Sequence, residues 1–171
     1  MRAITPAYSI RAWHILADER TERFYEVVKH ELSHLGNMHL TQMMSKENRF
    51  RFFNEGFARL FEYSENPSWY FNTTMKVGKE YLKKGKVSFS QIEDWITYWG
   101  DPEVGNLDPN AYNIGSTFVY FLINTYGKNC FRKFLVVIGK TQNLNLALSQ
   151  TYQLSRKKAQ RRWRKYIQNH K

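Results

Sequence analysis

His30-Glu31-Leu32-Ser33-His34 places two imidazoles four residues apart, with a carboxylate beside the first. On a helix, positions i and i+4 stand one turn apart on one face, so both rings can reach a single ion. Neutral imidazole is a good zinc ligand. Glu31 flanks that face and can take a proton from a water in the remaining coordination position without itself ligating, which is general-base work. Two histidines leave a catalytic zinc one protein ligand short. Glu55, in Phe53-Asn54-Glu55-Gly56-Phe57, is the better candidate for it, with 20 residues between it and His34. That length lets one helix end, turn and return antiparallel, and Gly56 permits close approach of a neighbouring helix.

The elements that must position these residues are helical by pattern. Phe24, Val27, Val28, Glu31, Leu32 and Leu35 recur at helical spacing from a Thr21 cap to Gly36. Val27, Val28, Leu32 and Leu35 are expected to make this a buried helix, where two histidines and a glutamate without partners would be costly. The metzincin pattern wants Gly three and His six residues past the second His, but Gly36 and His39 come two and five past His34. Gly36 therefore reads as the helix stop, and His39 as a loop residue and the weaker ligand candidate.

A second helix is expected from about Ser45 to Glu65 on Phe50, Phe53, Phe57, Leu60 and Phe61, ended by Pro67. Further helices are expected over 68–84, after a Ser90/Glu93 capping box, from Tyr112 to a Gly127 stop, from Phe131 to Gly139, and over 144–150 and 155–168. Residues 100–111 are loop by composition, and only 9–17 could form a strand. The expected fold is mainly α, in a single domain over 1–171. It has a short strand region in 1–20, metal-binding helices in 21–65, a helical C-terminal half in 68–171, and at most a small N-terminal sheet.

His30-Glu31-x-x-His34, followed by Asn54-Glu55-Gly56-Phe57-Ala58-Arg59-Leu60-Phe61-Glu62-Tyr63, resembles the gluzincin zinc peptidases. The closest patterns are the aminopeptidase-type catalytic domain and the peptidase MA-like bacterial domains, and the likeness runs roughly from Val27 to Ile167. It implies a zincin-like helical domain with zinc on His30, His34 and Glu55, Glu31 as catalytic base, and Asn54 among the substrate-binding residues. Tyr112-Asn113-Ile114-Gly115 resembles the family's Tyr-x-x-Gly block, which implies that the Tyr112 hydroxyl stabilises the oxyanion of the tetrahedral intermediate. The alternative, in a chain with 11 tyrosines, is a packing ring at a helix start. Glu62, seven residues past Glu55, is either the carboxylate that orients a ligating imidazole or a surface glutamate. No Gly-x-Met-Glu-Asn segment occurs, so nothing points to reading of a substrate's amino terminus.

The expected activity is therefore zinc-dependent hydrolysis of peptide bonds in a peptide or protein substrate. The alternative is a basic protein in which zinc is structural or absent and the ligand is nucleic acid or another acidic surface. The charge balance bears on this choice. Lys and Arg number 26 against 15 Asp and Glu, a net charge of +11, and such a field attracts polyanions without choosing among them. Arg156, Lys157, Lys158, Arg161, Arg162, Arg164 and Lys165 cluster around Trp163. They read either as a nucleic-acid contact or, by preference, as the solvated face of an amphipathic terminal helix. Hydrophobic residues at 42% exclude a disordered chain, and one cysteine, Cys130, excludes a disulfide framework. Apolar runs are too short to span a bilayer and no leader-like core precedes Ala17, so a cytoplasmic protein with no membrane partner is expected.

Overall fold

The computed structural model describes residues 24–41, 50–94, 98–100 and 108–170. Among these it is mainly α, with eight helices and no strand: α1 (Phe24–Thr41), α2 (Arg51–Glu62), α3 (Pro67–Lys83), α4 (Phe89–Glu93), α5 (Ala111–Tyr126), α6 (Lys128–Thr141), α7 (Leu144–Tyr152) and α8 (Arg156–Asn169). The segment 9–17, expected as a possible strand, lies outside the described residues.

The core is built of rings. Phe52, Phe53, Phe89, Phe118, Phe121, Phe134 and Trp163 are fully buried. Phe118 meets Phe52, Phe89 and Trp163 at centroid distances of 6.0, 5.3 and 5.3 Å. α5 is the hub. Ile114, Phe118, Val119 and Leu122 are all buried on it, and α2, α3, α6 and α8 pack around it. Its polar groups inside are satisfied: Trp163 Nε1–H donates to Thr117 Oγ1 at 2.9 Å, and Thr117 donates to the Ile114 carbonyl at 2.7 Å. α1 lies against α2 and α6.

The backbones of α2 and α5 approach closely. A Cβ at Gly56 would overlap the backbone of Gly115 and Ser116, and a Cβ at Gly115 would overlap the Phe52 carbonyl. Ser116 fastens the crossing by donating to the Gly56 carbonyl at 3.1 Å, with the Tyr70 hydroxyl 2.8 Å from Ser116 Oγ. Gly56 thus permits a close approach as expected, with α5 as the partner.

Several helix ends differ from expectation. Gly36 does not stop α1, which runs through it to Thr41 and includes His39. The second helix begins at Arg51 and ends at Glu62; Pro67 opens α3 at its first turn, where a missing N–H costs nothing. The cap of α4 is Ser88, which accepts from the Gln91 N–H, while Glu93 of the expected box pairs with Arg156 instead. Gly127 ends α5 at φ 83, as expected, but Gly139 lies inside α6, whose end is Gln142 at φ 50. No helix among the described residues is long and apolar enough to cross a membrane.

The crossing makes a sign prediction. Gly→Ala inside a helix ordinarily stabilises by about 0.5–1 kcal/mol. Gly36→Ala meets nothing within 4 Å and should raise the melting temperature. Gly56→Ala and Gly115→Ala force backbones apart and should each cost about 1–3 kcal/mol or more. Thermal melts of the three variants check this; a neutral Gly115→Ala would mean the crossing is not tight.

Candidate metal centre

α1 turns a polar stripe inward. His30, Ser33, His34 and Asn37, at spacing i, i+3, i+4, i+7, are buried or half-buried, whereas Leu32 and Leu35 are 58% and 59% exposed. The expectation that Leu32 and Leu35 line the buried face is thus reversed. A helix that exposes two leucines and buries histidines forgoes apolar burial of roughly 1.5–3 kcal/mol per side chain. Folding stability alone does not account for that choice.

The stripe faces α2. His30 Nε2 and His34 Nε2 are 3.1 Å apart, and Glu55 Oε2 lies 3.3 Å from the first and 3.7 Å from the second. Donors each about 2.0–2.1 Å from a tetrahedral zinc stand about 3.3 Å from one another. The observed triangle brackets that spacing, and the donor set of two imidazoles and a carboxylate suits the same ion. The residues therefore fit a zinc-sized divalent cation. This is the one such group of His, Cys, Asp and Glu among the described residues. The side chain of His39 lies outside the described residues.

Glu62 reaches His30 from behind. Its Oε2 accepts from His30 Nδ1 at 2.9 Å, which leaves Nε2 facing Glu55 and His34. Its other oxygen accepts from Arg59 at 2.7 Å. A carboxylate on the far nitrogen fixes the tautomer and aim of a ligating histidine. Of the two readings of Glu62, the structure places it at the orienting position, buried. Arg59 also stands over the Tyr112 ring, 5.5 Å from its centroid, and over Tyr63 at 5.8 Å. Arg59 is the residue that sequence reasoning missed, although its i, i+3 spacing to Glu62 on one helix was a usable signal.

Tyr112, on the first turn of α5, is half-buried. Burial pushes its phenol up, the Glu55 carboxylate adds to this, and Arg51 and Arg59 oppose it. The hydroxyl therefore holds its proton within the electrostatic reach of Glu55. Asn54 is placed differently from expectation. It is 6% exposed and its amide oxygen accepts from Asn37 at 2.5 Å, so it joins α1 to α2 and is not presented to a substrate. Glu31 is half-buried and makes no hydrogen bond or ion pair among the described residues.

A proton on His30 is favoured by the two carboxylates beside it. Burial alone would lower the pKa of His30, but hydrogen bonds and charge from Glu55 and Glu62 raise it to about 9. Burial would raise Glu55, but its bonds to His30 and His34 bring it to about 2. Burial likewise works against the ionised Glu62, and His30 and Arg59 hold it below the usual carboxylate range.

Comparison of the chain with protein-family models, with curated proteins and with solved structures finds no match.

In metal-free protein, the stability contributed by the His30 ion pairs is fully present below the ordinary histidine value of 6.5 and is lost as pH rises through about 9. The contribution of Glu55 is present above 4.5 and is lost as pH falls through about 2. The melting-temperature gap between wild type and His30→Gln in chelator should therefore narrow from pH 6.5 to about 9; a flat gap would contradict the ion-pair account. Zinc uptake near neutral pH should release about one proton, from His30, measurable by calorimetry in buffers of different ionisation enthalpy. Glu62→Gln should weaken zinc binding about 10–100-fold in the same titration.

Proposed function

We propose that the protein is a zinc-dependent, gluzincin-like peptidase that hydrolyses peptide bonds through the His30–His34–Glu55 centre. The observation that carries this is the inverted face of α1, which buries His30 and His34 against Glu55 while Leu32 and Leu35 stand in solvent. Among the described residues the ligand set is three, and a three-ligand site leaves room for water and substrate, the pattern of catalytic rather than structural zinc. Zinc, when bound there, supplies Lewis acidity to the water and to the scissile carbonyl.

The chain's own residues supply the rest. His30 and His34 ligate through Nε2, and Glu62, itself held by Arg59, keeps the His30 ring from rotating. Glu31, the neighbour of His30 with no partner of its own among the described residues, takes the proton from the attacking water. It then delivers that proton to the amine as the C–N bond breaks, so no net proton is gained or lost at Glu31. Tyr112 keeps its phenolic proton and donates a hydrogen bond where the carbonyl oxygen becomes negative.

Glu31 separates catalysis from metal binding. Glu31→Gln keeps size and shape but cannot accept the proton. It should retain near-normal zinc by elemental analysis while turnover of a cleavable peptide falls about 10²–10⁴-fold. Loss of zinc in this variant would make Glu31 a ligand; unchanged turnover would place hydrolysis elsewhere.

A further inference from the structure

A groove of about 1030 Å³ runs between α3 and α8. From α8 it is lined by Lys157, Lys158, Arg161, Arg164 and Lys165, whose spacing puts them on one face of the helix. From α3 it is lined by Lys79 and Lys83. No acidic residue lines it, and among the described residues none of these seven cations is in an ion pair. None of the groups of the metal centre borders it.

This charge works against the helix that carries it. α8 has no acidic residue at all, and its first turn holds Arg156, Lys157 and Lys158, where the helix dipole favours anions. Lys157, Arg161 and Lys165 repel one another at successive i, i+4 positions. What holds α8 down is its other face, with Ala159, Trp163 and Ile167 buried and Arg156 paired with Glu93. A solvated face would be served equally by mixed charges, so the uniform sign calls for a ligand.

The geometry points to a phosphate-backbone site: the α3–α8 groove binds double-stranded nucleic acid without regard to sequence. The cations stand on both walls of a concavity and so can grip one sugar–phosphate strand from two sides. An acidic membrane suits the surface less well. A basic helix lying on lipid inserts apolar side chains from beside its charges, and here Leu82 is the one apolar lining residue while Trp163 and Ile167 are fully buried. No aromatic ring lines the groove to stack unpaired bases, which favours a duplex, whose bases are already stacked.

The test uses the full chain and a fluorescein-labelled mixed-sequence DNA duplex, read by polarisation over a range of salt. Neutralising about four phosphates predicts a slope of log affinity against log salt near −4. Arg161→Glu/Arg164→Glu/Lys165→Glu should lose at least about tenfold in affinity and most of that slope. Lys128→Glu/Lys133→Glu/Lys140→Glu makes the same change in net charge on α6 and should lose much less. Circular dichroism checks the fold of each variant, and Gln at the same three α8 positions replaces Glu if the first set fails to fold. Equal losses in the α6 and α8 variants would overturn the proposal in favour of a general field effect. So would absence of duplex binding at low salt, or binding of phosphatidylserine vesicles in preference to the duplex.

Discussion

Two glycines set the distance on which the rest of the molecule depends. Gly56 and Gly115 bring the α2 and α5 backbones together without intervening side chains. Glu55 and Tyr112 flank this crossing, one residue before Gly56 and three before Gly115. Any side chain at either glycine would separate the carboxylate from the phenol as well as loosen the core. The same crossing aligns Phe52 with Phe118, so packing and site geometry share one contact. Tyr70 and Ser116 secure it with hydrogen bonds inside a dry interior, where polar groups are expensive unless paired.

The candidate metal centre is balanced in charge rather than crowded with it. Glu55 brings a negative charge to a half-buried position and Glu62 brings one to a buried position, and Arg59 offsets one of them permanently. The remaining charge is met by a proton on His30 or by a cation in its place. Arg59 thus helps to set how much positive charge the pocket calls for, and its stacking over Tyr112 couples that balance to the position of the phenol.

Much of this was legible in the sequence for identifiable reasons. The mainly α class is written in helical periodicity from Phe50 to Phe61 and again from Tyr112 to Tyr126. The proximity of His30, His34 and Glu55 is predicted by local spacing plus one helical return. What the sequence hides is tertiary. Periodicity assigns apolar residues inward, so Leu32 and Leu35 point the wrong way in a helix whose polar face is the one packed inward. Ser88-x-x-Gln91 and Ser90-x-x-Glu93 both fit a cap, and only the Glu93–Arg156 pair, 63 residues apart, decides between them. The α3–α8 groove is similarly nonlocal, because Lys79 and Lys83 are unremarkable until α8 lies beside them.

The order of elements along the chain has a consequence for biosynthesis. α1 and α2 are consecutive among the described helices, so His30, His34 and Glu55 have all been made once α2 is complete at residue 62. Tyr112 and Gly115 are translated later, as are Phe118, Phe131 and Phe134, the rings that cover Phe52 and Phe53. During elongation from the N-terminus, α1 and α2 are therefore made before the rings of α5 and α6 that cover Phe52 and Phe53. Burial of Phe52 thus waits for α5, the same helix that brings Tyr112 to the candidate site.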